Sequence, residues 1–264
     1  MDFLKTPFMA EQQQATLKIW IISLPDAHER RHHMRAQLAR FSGLAFEFFD
    51  AVRITHRGEY PADYDTRARR LLFGDDLRPG EVGCFLSHRR LWERCAEAKE
   101  AAWVILEDDI ILHHDFQRRV DVLMRHAHEW DVVRLMQLLQ RRGSWIHQRL
   151  DHGHALRAYD RQPSGMQGYL LKPAVARVLR LHASKIVWPI DETLDLYWRH
   201  QQRIYSLEPP AIGLASQFES TIGVRSADQR PKWRKLQRQL INGLHGLQRK
   251  SYNLKVHGWI RGKV

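Results

Sequence analysis

Trp103-Val104-Ile105-Leu106-Glu107-Asp108-Asp109-Ile110-Ile111-Leu112 is the stretch on which the reading of this chain turns. An apolar run with strand character ends in three adjacent carboxylates, and a second apolar run follows. A buried charge costs several kcal/mol unless it is paired or bound to metal, so packing gives no reason for three acids at this place. A hard divalent cation, Mn²⁺ or Mg²⁺, carrying a diphosphate would offset that cost, because such ions take oxygen ligands. Side chains at i and i+2 of an extended chain point the same way. Glu107 and Asp109 are therefore the expected metal pair, with Asp108 directed elsewhere. The competing reading is an acidic strand end that caps the next helix or pairs with a local arginine.

Strand and helix signals alternate on both sides of this stretch. Residues 18–24 (KIWIISL) read as a buried first strand, rich in β-branched side chains. A helix is expected from Pro25-Asp26 to about Phe41, carrying Arg30, Arg31 and Arg35, with Gly43 ending it. Residues 45–49 read as a second strand, and residues 53–79 as a long, partly irregular insert. Pro79-Gly80-Glu81 opens a helix that ends near Lys99, and residues 102–106 form the strand leading into the acids. Downstream, His114-Asp115 caps a helix to about Glu129, and residues 131–135 form a strand. Residues 141–162 read as hairpins or a mobile loop. A strand over 166–171 (MQGYLL), a helix over 173–183, a helix opened by Pro189-Ile190-Asp191 and a strand-like 203–207 complete the pattern. The alternation argues an α/β domain around a largely parallel sheet. Ligands of such sheets sit beyond the carboxyl ends of the strands, where the acids after Leu106 and the turn after Leu24 both fall.

The chain has 264 residues, enough to bury a core unaided, and its 44% hydrophobic and 27% charged residues are ordinary for a globular protein. Two cysteines, Cys84 and Cys95, give neither a disulfide framework nor a zinc cluster by spacing. The polar start at residues 1–16 carries no apolar signal core, and no segment reaches the roughly 18 apolar residues that span a bilayer. A cytosolic protein is the expectation.

The net charge of +12 is unevenly placed. Ten of the 42 Lys and Arg lie beyond residue 229, where no acid occurs, leaving 32 basic against 30 acidic residues in positions 1–229. A nucleic-acid enzyme more often spreads its charge along a groove, so no nucleic acid is expected as partner. A basic tail on a neutral body suits an anionic membrane leaflet. Within the tail, a helix from Pro231 to about Gln248 puts Leu236, Leu240, Leu244 and Leu247 on one face, with Arg234, Lys235 and Arg238 elsewhere. That pattern, with Trp233, Tyr252 and Trp259, fits an interfacial helix, and a packed terminal helix with a solvated basic face is the alternative. Two units follow: a body over 1–229 and a basic amphipathic tail over 230–264.

Smaller motifs add candidates, each with an ordinary structural counterpart. His88 in GCFLSH (83–88) can donate to a phosphate or orient an acid, or can simply sit on a helix face. GMQGY (165–169) offers glycines that let backbone approach a sugar, or a turn into a strand. Asp191 in WPIDE (188–192) is placed as a general base, or as an N-cap. No Walker A, GxGxxG, GxSxG or HExxH pattern occurs, which argues against common NTPases, dehydrogenases, hydrolases and zinc proteases.

In this order, these motifs resemble glycosyltransferase family 25, of the lipooligosaccharide galactosyltransferase type. The matching pieces are Ile21-Ile22-Ser23-Leu24 with Glu29-Arg30-Arg31, FEFFDAV (46–52), PGEVGC (79–84) with Ser87-His88, and ILEDD (105–109). Gly168-Tyr169-Leu170, Pro189-Ile190-Asp191 and Ser220-Thr221-Ile222 complete the set, over roughly residues 18–223. The resemblance implies a GT-A-like fold, a UDP-sugar donor and an inverting transfer. It implies that Glu107-Asp108-Asp109 replaces the DxD signature of metal-dependent transferases. Asp109 would then chelate Mn²⁺, and Glu107 would help the metal or touch the ribose. Ser23, Leu24 and Arg31 are expected near the nucleotide, and Ala51, Ser87, His88, Asp108, Gly168 and Tyr169 complete the expected substrate-binding set. Several GT-A enzymes add a C-terminal histidine to the metal; between residues 201 and 244 this chain has none.

The reaction expected is transfer of galactose from UDP-galactose to a hydroxyl of a glycolipid or oligosaccharide acceptor, with Asp191 as base and the tail holding the enzyme at the inner face of the cytoplasmic membrane. A metal-dependent phosphohydrolase using the same acids is one rival. A nucleic-acid-binding module acting through the tail is the other.

Overall fold

The computed structural model describes residues 16–139, 143–218 and 232–258, with backbone alone for residues 232–238. Strand β1 (Leu17–Ser23) shows how the layers are built. Successive side chains of a strand face opposite ways. Ile19 and Ile21 accordingly enter one core, and Trp20 and Ile22 the other. A strand with both faces buried needs apolar residues at every position, which is why KIWIISL is a continuous run.

In chain order, β1 leads to α1 (His28–Leu38), β2 (Phe46–Asp50), α2 (Thr66–Phe73), α3 (Pro79–Ala96) and β3 (Ala102–Glu107). Then come β4 (Ile110–Leu112), α4 (Phe116–Arg125), β5 (Val132–Arg134), β6 (Ser144–Arg149), β7 (Ala155–Tyr159) and β8 (Gly168–Leu171). The chain continues through α5 (Pro173–His182), α6 (Ile190–Asp195), α7 (Tyr197–His200), β9 (Ile204–Glu208), β10 (Ile212–Leu214) and α8 (Lys232–His257). Eight strands form one sheet in the order β2-β1-β3-β8-β5-β9-β7-β6, and β4 pairs with β10 apart from it.

The sheet is mixed. Six of its strands run one way, while β8 and β7 run against them. Reversal of β8 brings the loop before it to the edge where β1 and β3 end. Helices cover both faces, giving three layers. Met34 and Leu38 of α1 pack with Phe116, Val120 and Leu123 of α4 on one face. On the other face, Trp92 and Cys95 of α3 meet Val175 and Leu179 of α5, and Ile190 and Leu194 of α6.

One stretch differs from the sequence reading. Residues 53–79 contain α2, whose start is capped by Asp65 accepting from the Ala68 N–H at 2.8 Å and whose end is Gly74 at φ 85°. Its mostly polar, short pattern hides it from periodicity. The 141–162 segment takes the first of its two expected forms, the antiparallel hairpin β6–β7.

Helix α8 reaches His257, well beyond Gln248. Tyr252, expected to favour a membrane, is 6% exposed, and its hydroxyl donates to the Gln202 carbonyl at 3.2 Å. Its neighbours explain this: Arg249 pairs with Asp160 at 3.1 Å, and Asn253 donates to the same carboxylate at 3.4 Å, so the distal half of α8 is docked on the body. The leucine face is different, since Leu240, Leu244 and Leu247 are all more than 60% exposed. The side chains of Trp233, Arg234, Lys235, Leu236 and Arg238, and all of Trp259, lie outside the described residues, as does the Ser220-Thr221-Ile222 motif. Among the described residues, no helix is long and apolar enough to cross a membrane.

Candidate active site

Parallel pairing of β1 with β2 and β3 sets Ile22 opposite Glu107 and Ser23 opposite Asp50, so these strands end together. Beyond their ends lies a cleft of about 970 Å³. Ser23, Leu24, Ala51, Ser87, His88, Glu107, Asp108, Asp109 and Asp191 all line it. Sequence alone could not bring α3, the strand ends and the start of α6 to one place; the fold does.

The first turn of α3 begins with Pro79, whose missing N–H is no loss there, and Glu81 accepts from the Arg78 N–H at 2.8 Å. Gly83 is a required contact: a Cβ there would lie 2.5 Å from the Val52 carbonyl oxygen. Ser87 accepts from the Val52 N–H at 2.8 Å and donates to the Gly83 carbonyl at 2.7 Å. It thus fixes the 51–55 wall of the cleft by backbone contact.

The three acids are treated differently by their surroundings. Asp108 is 7% exposed and pairs with Arg30 at 2.9 Å. Arg30 also lies 3.5 Å from Asp109 and over the Phe218 ring. Burial, and then the charge of Glu107, push the Asp109 carboxyl up to about 6, with Arg30 opposing. Asp109 Oδ1 is buried without a hydrogen-bond partner. Glu107 keeps 22% of its side chain exposed to the cleft. An arginine is therefore part of the answer to the electrostatic anomaly, and it answers mainly for Asp108.

His88 is fully buried, with Nδ1 3.0 Å from the Tyr169 hydroxyl and Nε2 3.5 Å from Glu107 Oε1. Trp92 donates its indole N–H to the Tyr169 oxygen at 2.8 Å. Cys84, one helical turn before His88, has Sγ 4.0 Å from Glu107 Oε1. Burial, followed by the nearby carboxylates, raises the Cys84 thiol well above its ordinary range.

Three expected substrate contacts stand elsewhere. Tyr169 is 1% exposed and faces α3 within the core, because β8 is a central strand buried on both faces. Gly168 is in the same strand, where a Cβ would come within 2.4 Å of Ile212 Cδ1; its smallness serves packing. The neighbouring residues 165–167 line the cleft instead. Arg31 lies behind the first turn, donating to the carbonyls of Ser23 at 2.9 Å and Leu24 at 3.0 Å and pairing with Asp50, so it shapes that turn rather than lining the cleft.

Asp191, in the first turn of α6, accepts from the Gly165 N–H at 3.5 Å. The buried Arg134 of β5 donates to the Gly165 carbonyl and pairs with Asp195 of α6. One guanidinium thus ties the cleft loop to the helix that carries Asp191. Sequence reading missed Arg134, a lone arginine in an apolar strand, and Cys84, whose signal was its i, i+4 spacing from His88.

Comparison with known proteins adds a separate line of support. The chain is 33% identical over 93 residues to lipooligosaccharide biosynthesis protein lic2B of Haemophilus influenzae, covering 35% of this chain and 34% of that one. It is 26% identical over 148 residues to procollagen galactosyltransferase 1-B of Xenopus laevis, covering 51% and 23%. Inactive glycosyltransferase 25 family member 3 of Mus musculus is 39% identical over 132 residues, covering 45% and 21%. The chain thus spans between 21% and 34% of the length of these relatives, one of which is named as inactive. The pattern of Glycosyltransferase family 25 (LPS biosynthesis protein) matches residues 16–194, which include every residue placed in the cleft above; Leu214, Ala215, Ser216 and Phe218, which also line it, fall outside the match. On that match the chain belongs to glycosyltransferase family 25.

Proposed function

We propose that this chain transfers a hexose, galactose from UDP-galactose, to a sugar hydroxyl of a lipopolysaccharide or lipooligosaccharide core, with inversion at the anomeric carbon. One observation carries the reading: a carboxylate-lined cleft at the strand ends holds Glu107 and Asp109 together with Asp191. The names of the relatives, a lipooligosaccharide biosynthesis protein and a procollagen galactosyltransferase, favour hexose transfer over phosphate-ester hydrolysis.

The cleft fits a hard divalent cation. Asp109 Oδ1 is buried without a partner, and Glu107 presents carboxylate oxygen to the same space. Glu107 and Asp109 would hold Mn²⁺ or Mg²⁺, which when bound neutralises the negative charge of a diphosphate leaving group. Arg30 adds a fixed positive charge beside them. The turn at Ser23-Leu24, held by Arg31, and the 51–55 wall, held by Ser87, shape the donor side. Asp191 accepts the proton of the acceptor hydroxyl as that oxygen attacks. Arg134, through Gly165 and Asp195, keeps the Asp191 helix in register with the cleft loop.

In this reading residues 1–229 carry the reaction, and residues 230–264 attach it to an anionic cytoplasmic leaflet through the exposed leucines and the basic residues of α8. Because Arg249, Tyr252 and Asn253 are docked on the body, replacing Leu240, Leu244 and Leu247 by serine is a cleaner probe than deleting the tail.

The test is UDP release by the purified chain supplied with Mn²⁺, a panel of UDP-hexoses and core oligosaccharide. Acceptor-dependent UDP release is expected. The reading fails if no UDP-hexose is consumed, and a phosphohydrolase replaces it if phosphate esters are cleaved without acceptor. Co-sedimentation with phosphatidylserine vesicles tests the tail: binding should fall with salt and with the triple serine variant.

A further inference from the structure

Cys84, His88 and Glu107 each offer a ligand atom, and these atoms lie within 4.8 Å of one another. We propose that they form a second cation site, selective for a thiophilic ion of the Zn²⁺ class and sharing Glu107 with the oxygen pair Glu107 and Asp109. The site stands independently of whether the chain transfers sugar.

Its chemistry follows from the donor set. Thiolate and imidazole select Zn²⁺ or Co²⁺ over Mn²⁺ and Mg²⁺, which prefer carboxylate and water. Bonds of about 2.0–2.3 Å at tetrahedral angles put ligand atoms roughly 3.3–3.6 Å apart. His88 Nε2 and Glu107 Oε1 are already 3.5 Å apart, and Cys84 Sγ and Glu107 Oε1 are 4.0 Å apart, a gap that a small side-chain rotation closes. Position i and i+4 on α3 puts Cys84 and His88 on one face of the helix. All three residues line the cleft, so the fourth position opens toward solvent or substrate.

A second observation points to a ligand. His88 Nε2 is buried, makes no hydrogen bond and is aimed at this cluster, on a side chain with no exposed surface. A polar nitrogen so placed costs free energy unless something binds it. The opposite face of the ring is prepared for ligation. A metal-bound imidazole donates its other N–H to an acceptor that fixes the ring. Here Nδ1 meets the Tyr169 oxygen at 3.0 Å, and Trp92 holds that oxygen by donation at 2.8 Å. Binding displaces the Cys84 thiol proton to solvent, leaving the thiolate on the metal. Because Glu107 belongs to both donor sets, an ion held by Cys84 and His88 competes with Mn²⁺ for that carboxylate.

Anaerobic titration of the full, untagged chain with Co²⁺ tests the site. A sulfur-to-cobalt charge-transfer absorption is expected, saturating at one equivalent and abolished by Zn²⁺. Cys84→Ser should remove the band, whereas Cys95→Ser, whose thiol lies in the core, should keep it. Tyr169→Phe should weaken Co²⁺ binding about 10–100-fold by freeing the ring. Absence of the band in the parent chain overturns the proposal, and so does its persistence in Cys84→Ser. The first of these outcomes needs no variant to fold.

Discussion

Replacing Arg30 by methionine removes the guanidinium that stands 2.9 Å from Asp108, 3.5 Å from Asp109 and over the Phe218 ring, while keeping most of the aliphatic stem. Side-chain exposures of 16% for Arg30 and 10% for Asp108 make this a nearly buried pair. Breaking a buried pair from one side costs about 3–5 kcal/mol, because a charge is left without compensation. Residual solvent places the expectation at the low end, about 3 kcal/mol. For a chain of this size each kcal/mol moves Tm by roughly 2–4 °C, so Arg30→Met should melt about 6–12 °C below the parent. Asp108→Asn in the same background removes the buried carboxylate that had been closest to the lost guanidinium. The double variant should therefore recover much of the loss, with a coupling of about 2 kcal/mol in a double-mutant cycle followed by urea unfolding. If Arg30→Met melts within about 2 °C of the parent, or the two substitutions simply add, then Arg30 is not what holds Asp108 in the fold. Mn²⁺ supplies a second reading of the same experiment. At about a hundred times its Kd a ligand of the native state adds roughly 2.7 kcal/mol, and Arg30→Met should gain at least as much from Mn²⁺ as the parent.

Three further outcomes are expected. Asp191→Asn should lower acceptor-dependent turnover about 10²–10⁴-fold with the KM for donor little changed; a change below about fivefold would remove Asp191 as base. Gly168→Ala would set a methyl 2.4 Å from Ile212 Cδ1 and 3.0 Å from Leu106 Cδ2, so denaturant unfolding should show a loss of about 1–3 kcal/mol, and an unchanged midpoint would refute the close packing of β8. Burial lowers the His200 imidazole from the ordinary 6.5 to about 4. Between those values the unfolded chain binds a proton that the folded chain does not, so stability should fall on acidification by up to about 1.4 kcal/mol per pH unit, and His200→Gln should flatten that slope.

Much of this protein was legible one residue at a time. Continuous apolar runs marked residues 18–24 and 102–106 as buried strands, which the structure shows as β1 and β3. Proline and glutamate at the start of α3 announced that helix, and three acids after an apolar strand announced a site. These features are local, and short-range sterics and burial cost suffice to read them.

What the tertiary structure alone decided is which groups meet. Arg30 lies 78 residues from Asp108, and Arg134 lies 61 from Asp195; no spacing rule links either pair. Reversal of β8 sent Tyr169 into the core to hold His88, and brought residues 165–167 to the cleft, although all belong to one short motif. Strand side chains alternate between faces, so a difference of one residue decides between cleft and core, and register across a sheet is fixed by long-range pairing. Sequence located the acids after Leu106, but the fold assigned their partners: Arg30 for Asp108, an unpartnered oxygen on Asp109, and a cysteine and histidine beside Glu107.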